Sequence, residues 1–164
     1  MARGQYKEIY FGSLSDEERM LFRMAGMESS LSRCKRHQIG AASINWDGTI
    51  GRGYNSGCDG HCVHEGLPKG TNTDCKGSHA ERDLLARYPR PMTLVVTTFP
   101  CMNCAKALAE AGVFAVLYRD NYGDNKALDY LLGQGVRVTR ILLREEGSTE
   151  IEPSQSNQSE HQER

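Results

Sequence analysis

Residues 15–33 read SDEERMLFRMAGMESSLSR, in which Met20, Met24, Met27 and Leu31 recur at helical spacing on one face. Ser15 and Glu18 form a capping-box pair in front of that run, so a helix is expected to start there with its methionine face packed into the core. IGAASI (39–44) and IGRGY (50–54), separated by a turn at Asp47-Gly48, predict a hairpin. Residues 55–78 are rich in Gly, Cys, Asn and Asp and have no periodicity; a loop this long inside a compact domain is usually functional or held by something.

From residue 79 the pattern alternates. HAERDLLARY (79–88) predicts a helix stopped by Pro89 and Pro91, and MTLVVTT (92–98) a buried strand. CAKALAEAG (104–112) follows as an alanine-rich helix, VFAVLY (113–118) as a strand, NKALDYLLGQG (125–135) as a helix and VRVTRILL (136–143) as a last strand. Strands and helices alternating at these lengths predict an α/β domain, residues 1–146, with a central sheet covered by helices on both faces. Residues 147–164 are polar and are expected to form a disordered tail.

Composition narrows the function classes. The formal net charge is −1, and no Lys/Arg stripe runs along a predicted element, which argues against an extended nucleic-acid surface while leaving room for one small anionic ligand. The first residues, MARGQYKEIYFG, hold no apolar run of signal-peptide length, and no stretch approaches a membrane span, so a soluble cytoplasmic protein is expected. In that reducing setting the six cysteines read as thiolate ligands or buried thiols rather than disulfides.

Two short stretches carry candidate chemistry. Cys101 and Cys104 share one face of the helix that Pro100 introduces, where free amides and the positive end of the dipole favour thiolates. His79 could add a third ligand, giving a zinc site with one position open. On an ideal helix His79 and Glu81 would lie roughly 200° apart, so both can serve one ion only if His79 sits where the chain is not yet wound. Ser78-His79-Ala80-Glu81 also fits a plain capping box, with Glu81 returning to the Ser78 amide. A lone C-x-x-C at a helix start could equally be a redox pair or buried thiols.

The conjunction H-x-E, strand, P-C-x-x-C is the signature of zinc nucleobase deaminases. With GAASI, GRGYN, HAE, VVTTFPCMNCAKAL, AGVFAVLY and DNYGD, residues 34–141 resemble the deoxycytidylate (dCMP) deaminase branch of the cytidine deaminase superfamily. The resemblance implies a three-layer α/β/α sandwich around a mixed sheet. It also implies a catalytic zinc on His79, Cys101 and Cys104. The expected reaction is hydrolytic deamination of dCMP to dUMP, a thymidylate precursor: zinc-activated hydroxide attacks C4, and Glu81 moves the proton to ring N3 and on to departing ammonia. Asn55 would hold the deoxyribose hydroxyl, Tyr122 would lie against the nucleotide, and Ala80 and Arg36 would contact substrate, Arg36 at the phosphate. Cys34, Cys62, His64 and Cys75 resemble a structural zinc clamp on residues 55–78, with His61 and Cys58 as substitutes.

Relatives suggest a homo-oligomer, often a hexamer, and dCTP and dTTP as effectors, although the proline-containing stretch that follows GYN in regulated members is absent from GYNSGCDGHC. tRNA adenosine deaminases share H-A-E and P-C-x-x-C; the near-neutral charge and DNYGD stand against them. A single-stranded nucleic-acid deaminase and a non-catalytic nucleotide-binding zinc module are the other readings, and the intact Glu81 opposes the module, which would need no proton shuttle.

Overall fold

The capping box at Ser15 forms as the sequence predicts: the Glu18 amide donates to Ser15 Oγ at 3.1 Å and the Ser15 amide to Glu18 Oε2 at 2.9 Å. It opens helix α1, Asp16–Ser29. The computed structural model describes residues 3–57, 66–68, 77–121 and 125–143 of the 164. Among these the elements that follow α1 are strands β2 (Gly40–Asn45) and β3 (Ile50–Tyr54), helix α2 (Ala80–Arg87), β4 (Pro91–Thr98), α3 (Met102–Glu110), β5 (Ala115–Asp120), α4 (Asn125–Gly133) and β6 (Arg137–Leu142). Each lies where the hydrophobic pattern places it. The expected disordered tail, residues 147–164, falls outside the described residues.

Strand β1, Tyr6–Tyr10, precedes them all and was not expected. It pairs parallel with β6, Tyr6 opposite Val138 and Tyr10 opposite Leu142, at the edge of a mixed sheet ordered β1-β6-β5-β4-β2-β3. β6, β5 and β4 run parallel, and β2 is antiparallel to both β4 and β3. Alternate residues along the central strands feed two cores, because successive strand side chains point to opposite faces. Ala41, Leu94, Val96, Val116 and Val138 pack on one face with Leu84 of α2, Leu108 of α3 and Leu131 of α4. Ala42, Val95, Leu117 and Ile141 pack on the other with Leu21 and Ala25 of α1. The result is the expected three-layer α/β/α sandwich, with three helices on one face and α1 on the other. No helix among the described residues is long and apolar enough to cross a membrane.

The methionine face of α1 corrects the sequence reading. Leu21, Ala25 and Glu28 are the buried residues of the helix, whereas Met20, Met27 and Leu31 are 41, 70 and 56% exposed. One residue along a helix is a rotation of about 100°, and the buried face is the expected one turned by that step. The cause is close approach. A Cβ on Gly40 would stand 2.0 Å from the Ala25 carbonyl oxygen and 2.4 Å from the Ser29 nitrogen, so α1 rests on β2 backbone to backbone through small residues. Large methionines on that side would lift the helix off the sheet.

Gly40→Ala is therefore expected to destabilise the fold by roughly 2 kcal/mol or more, as overpacking does. Gly26→Ala, where an added Cβ meets nothing within 4 Å, is expected to stabilise by about 0.5–1 kcal/mol through helix propensity. Urea denaturation of the two variants checks both signs.

Candidate metal centre and its carboxyl

His79 is the N-cap of α2, with φ −76° and ψ 153°, so its backbone is extended. The condition that the sequence imposes on sharing an ion with Glu81 is met: one residue stands before the winding begins and the other within it. The capping-box alternative is not what forms. His79, not Ser78, is the N-cap and makes no side-chain cap hydrogen bond. The Ser78 amide instead donates to Ser56 Oγ at 2.7 Å, and the Ser56 amide donates to the Ser78 carbonyl at 3.0 Å. This two-way clasp ties the approach to His79 to the segment leaving β3, a role that the sequence reading did not assign to Ser56.

Cys101 is the N-cap of α3, with φ −68° and ψ 166°, and Cys104 is buried in its first turn. β4 carries the chain to this point, so both helix starts gather beyond the carboxyl end of a parallel strand. His79 Nδ1 lies 3.5 Å from Cys101 Sγ and 3.4 Å from Cys104 Sγ. Tetrahedral zinc with ordinary Zn–S and Zn–N bond lengths would separate its sulfur and nitrogen donors by about 3.5 Å. The donor set and spacing therefore fit that ion. Among the described residues this is the one cluster of three such ligands close enough to share a metal.

Close packing makes the members of the cluster perturb one another. A hydrogen bond from Cys104 and the neighbouring His79 hold the Cys101 thiol down to about 4, while the hydrogen bond to Cys101 pushes Cys104 up. The hydrogen bond to Cys101 raises His79. Glu81 is 3% exposed. Burial is the main reason its carboxyl is pushed up to about 7, and a hydrogen bond with Cys104 works the other way. A carboxyl poised there can both hold and release a proton near neutral pH.

The other expected site residues divide. Asn55, just after β3, accepts from the Ile39 amide at 2.7 Å and donates to the His37 carbonyl at 2.7 Å, so it braces the segment before β2. Ala80 is buried as the first residue of α2. Arg36 donates to the Pro68 carbonyl. Cys34 is a half-buried free thiol whose sulfur accepts from the His37 amide at 3.5 Å. Tyr122, Cys62, His64 and Cys75, with Cys58 and His61, lie outside the described residues, and so does most of the expected second zinc clamp. Asp83 was not singled out for a role. It accepts from the Tyr54 amide at 3.1 Å and from Arg87 at 2.6 Å, joining α2 to the end of β3 that leads to Asn55.

A profile of the cytidine and deoxycytidylate deaminase zinc-binding region matches residues 15–119. The chain belongs to that family. It is similar to ComE operon protein 2 of Bacillus subtilis, 29% identical over 123 residues that cover 70% of this chain and 65% of that protein. Deoxycytidylate deaminase of Saccharomyces cerevisiae is 27% identical over 139 residues, 76% of this chain and 44% of its own length. The chain thus spans less than two thirds of either curated relative. The crystal structure of dCMP deaminase from the cyanophage S-TIM5 in complex with dCMP and dUMP superposes with a TM-score of 0.62 at 27% identity, covering 77% of this chain and 98% of that one. Membership in the zinc-binding family agrees with the donor set that the fold assembles.

The raised Glu81 has a consequence for the zinc-free protein. Its folded value, about 7 against an ordinary 4.5, means that the folded state holds a proton which the unfolded state has released. The contribution to stability is complete below pH 4.5 and is lost as pH rises through 7. Relative to Glu81→Gln, zinc-free wild type is expected to lose about 3 kcal/mol between pH 4 and pH 8, measured as the difference between their denaturation curves. A constant difference would mean that the carboxyl is solvated.

Proposed function

We propose that the chain catalyses the hydrolytic deamination of dCMP to dUMP with release of ammonia, in the cytoplasm, with one catalytic zinc held by His79, Cys101 and Cys104. The observation that carries this reading is the approach of three donors to tetrahedral spacing beside a buried carboxyl that is not one of them. The likeness to a phage dCMP deaminase whose structure contains dCMP and dUMP supports the choice of substrate.

When bound, zinc would lower the pKa of a water so that hydroxide exists near neutral pH. Glu81 then accepts the water's proton and gives it to ring N3 as the oxygen attacks C4. It next carries the remaining hydroxyl proton to the amino group, which leaves as ammonia as the C4 carbonyl forms. Burial serves this relay, because desolvation raises the Glu81 carboxyl and so makes it a better acceptor for the water's proton than an exposed carboxylate. Of the two cysteines, Cys101 is held as a thiolate by its hydrogen bonds from Cys104 and His79, whereas Cys104 would give up its proton on binding the metal.

For the nucleotide, we assign Asn55 to the deoxyribose hydroxyl, Ala80 and Tyr122 to the base and sugar, and Arg36 to the phosphate. Asn55 is already oriented by its two hydrogen bonds to the His37–Ile39 backbone. Cys34 with Cys62, His64 and Cys75 is the proposed ligand set of a second, structural zinc, and dCTP and dTTP are the proposed effectors.

The purified protein is expected to release ammonia from dCMP and much less from deoxycytidine. Glu81→Gln is expected to retain its zinc while turnover falls by roughly a hundredfold to ten-thousandfold, the usual weight of a general acid–base group. Metal analysis alongside ammonia release reads both. Loss of zinc in that variant would make Glu81 a ligand, equal activity on the nucleoside would remove phosphate recognition, and no ammonia from any cytosine substrate would overturn the reading.

A further inference from the structure

Among the described residues β3 is an edge strand, so its outward backbone groups have no neighbouring strand to pair with. Helix α2 supplies partners for them instead. Arg87 Nη2 donates to the Arg52 carbonyl at 2.9 Å, and the Tyr54 amide donates to Asp83 Oδ2 at 3.1 Å. Two residues further on, Ser56 exchanges hydrogen bonds with Ser78, just before the helix. Residues 52, 54 and 56 are therefore tied to α2 and its lead-in at every second position, as the alternation of backbone groups along a strand dictates. Asn55 lies between two of these ties and bonds the other way, to His37 and Ile39. Asp83 is itself held by Arg87 at 2.6 Å. Their side chains are 32 and 51% exposed, and an ion pair so exposed contributes little to folding. Its effect is one of placement: a single acid joins the helix that carries Glu81 to the residue that precedes Asn55.

We propose that Asp83, held by Arg87, is a positioning residue for the substrate: it fixes the placement of Asn55, at the deoxyribose hydroxyl, relative to Glu81, at the ring. The inference rests on the dCMP reading and on the assignment of Asn55 within it. Glu81 and Asp83 share the first turn of one short helix and move as a single rigid piece. Tyr54 is joined to Asn55 by one peptide unit. The path from proton carrier to sugar contact through Asp83 therefore holds a single hydrogen bond. Beneath it the helix is already seated on the strand, since a Cβ on Gly53 would stand 2.6 Å from the Ala80 carbonyl oxygen and 2.7 Å from the Leu84 nitrogen. That contact sets how close α2 lies, and the bonds from Asp83 and Arg87 to the strand edge set where along β3 it rests. A nucleotide has to meet Asn55 with its sugar and Glu81 with its base at once, and a misplacement of about 1 Å can cost roughly a hundredfold in rate.

Steady-state kinetics of the zinc-loaded full chain on dCMP and on 2′,3′-dideoxycytidylate, which lacks the hydroxyl assigned to Asn55, test the inference. Asp83→Ala is expected to lower kcat/KM for dCMP about tenfold, mostly through KM, and for the dideoxynucleotide less than about twofold. Asp83→Asn keeps an oxygen for the Tyr54 amide and is expected to stay within about threefold of wild type on dCMP. Arg87→Ala removes the anchor from a more exposed position and is expected to show a smaller loss with the same substrate dependence; it carries the comparison if Asp83→Ala does not fold. Zinc content is expected to equal that of wild type in each variant. Hydrogen exchange at the Tyr54 amide, which needs no turnover, is expected to quicken in Asp83→Ala and not in Asp83→Asn. A wild type that releases no ammonia from dCMP would overturn the dCMP reading and this inference with it. An active wild type whose Asp83→Ala loss is equal on the two nucleotides, or whose Tyr54 exchange is unchanged by that substitution, would overturn the inference alone.

Discussion

The site depends on where the winding of α2 begins. A helix that started one residue earlier would send the His79 and Glu81 side chains to opposite sides of its axis, and no ion could be shared between an imidazole ligand and an adjacent carboxyl. Extended backbone at His79 turns its imidazole toward the sulfurs of Cys101 and Cys104 while Glu81 points inward among buried residues. That start is not set by a side-chain cap on α2 itself. It is set from outside, by the reciprocal hydrogen bonds between Ser56 and Ser78 and by Asp83 on the Tyr54 amide. The segment leaving β3 therefore acts as a splint for the metal centre, and its glycine partner shows how closely it lies: a Cβ on Gly53 would stand 2.6 Å from the Ala80 carbonyl oxygen.

This arrangement explains how a site of two short motifs was legible from residues alone. H-x-E and P-C-x-x-C each mark a helix start, and the strand between them is long enough, and β-branched enough, to be read as buried. Because β3, β4 and β5 run the same way, the helices that follow β3 and β4 start at the same end of the sheet. The braces were not legible, because they are backbone contacts. Ser56 reads as an ordinary loop serine, and nothing in its neighbours announces that its hydroxyl meets the Ser78 amide. Asn55 illustrates the opposite case, a residue singled out for substrate whose side chain also carries the geometry of the chain before β2.

The fold was read less evenly. Elements after residue 79 are long, apolar and bounded by glycine or proline, and all of them form. β1 escaped because YKEIY is half-exposed at a sheet edge, and its partner β6 lies some 130 residues away in the chain. Local alternation cannot reveal a pairing that distant. In α1 the amphipathic period was right and the phase was wrong. Bulk marks the methionine side as the core side, yet the contact with β2 demands small residues, and the buried side includes an alanine and a glutamate.

That phase error bears on the sheet as well as on the helix. Glu28, 9% exposed, faces Arg52 at 3.7 Å, so even the seated face of α1 keeps an ion pair at its margin. Arg52 is exposed, so loss of Glu28 would leave its charge in solvent, and the pair itself contributes little to stability. The helix is thus anchored by the fully buried Leu21 and Ala25 and by close approach at Gly40, with Met20 and Met27 left outside.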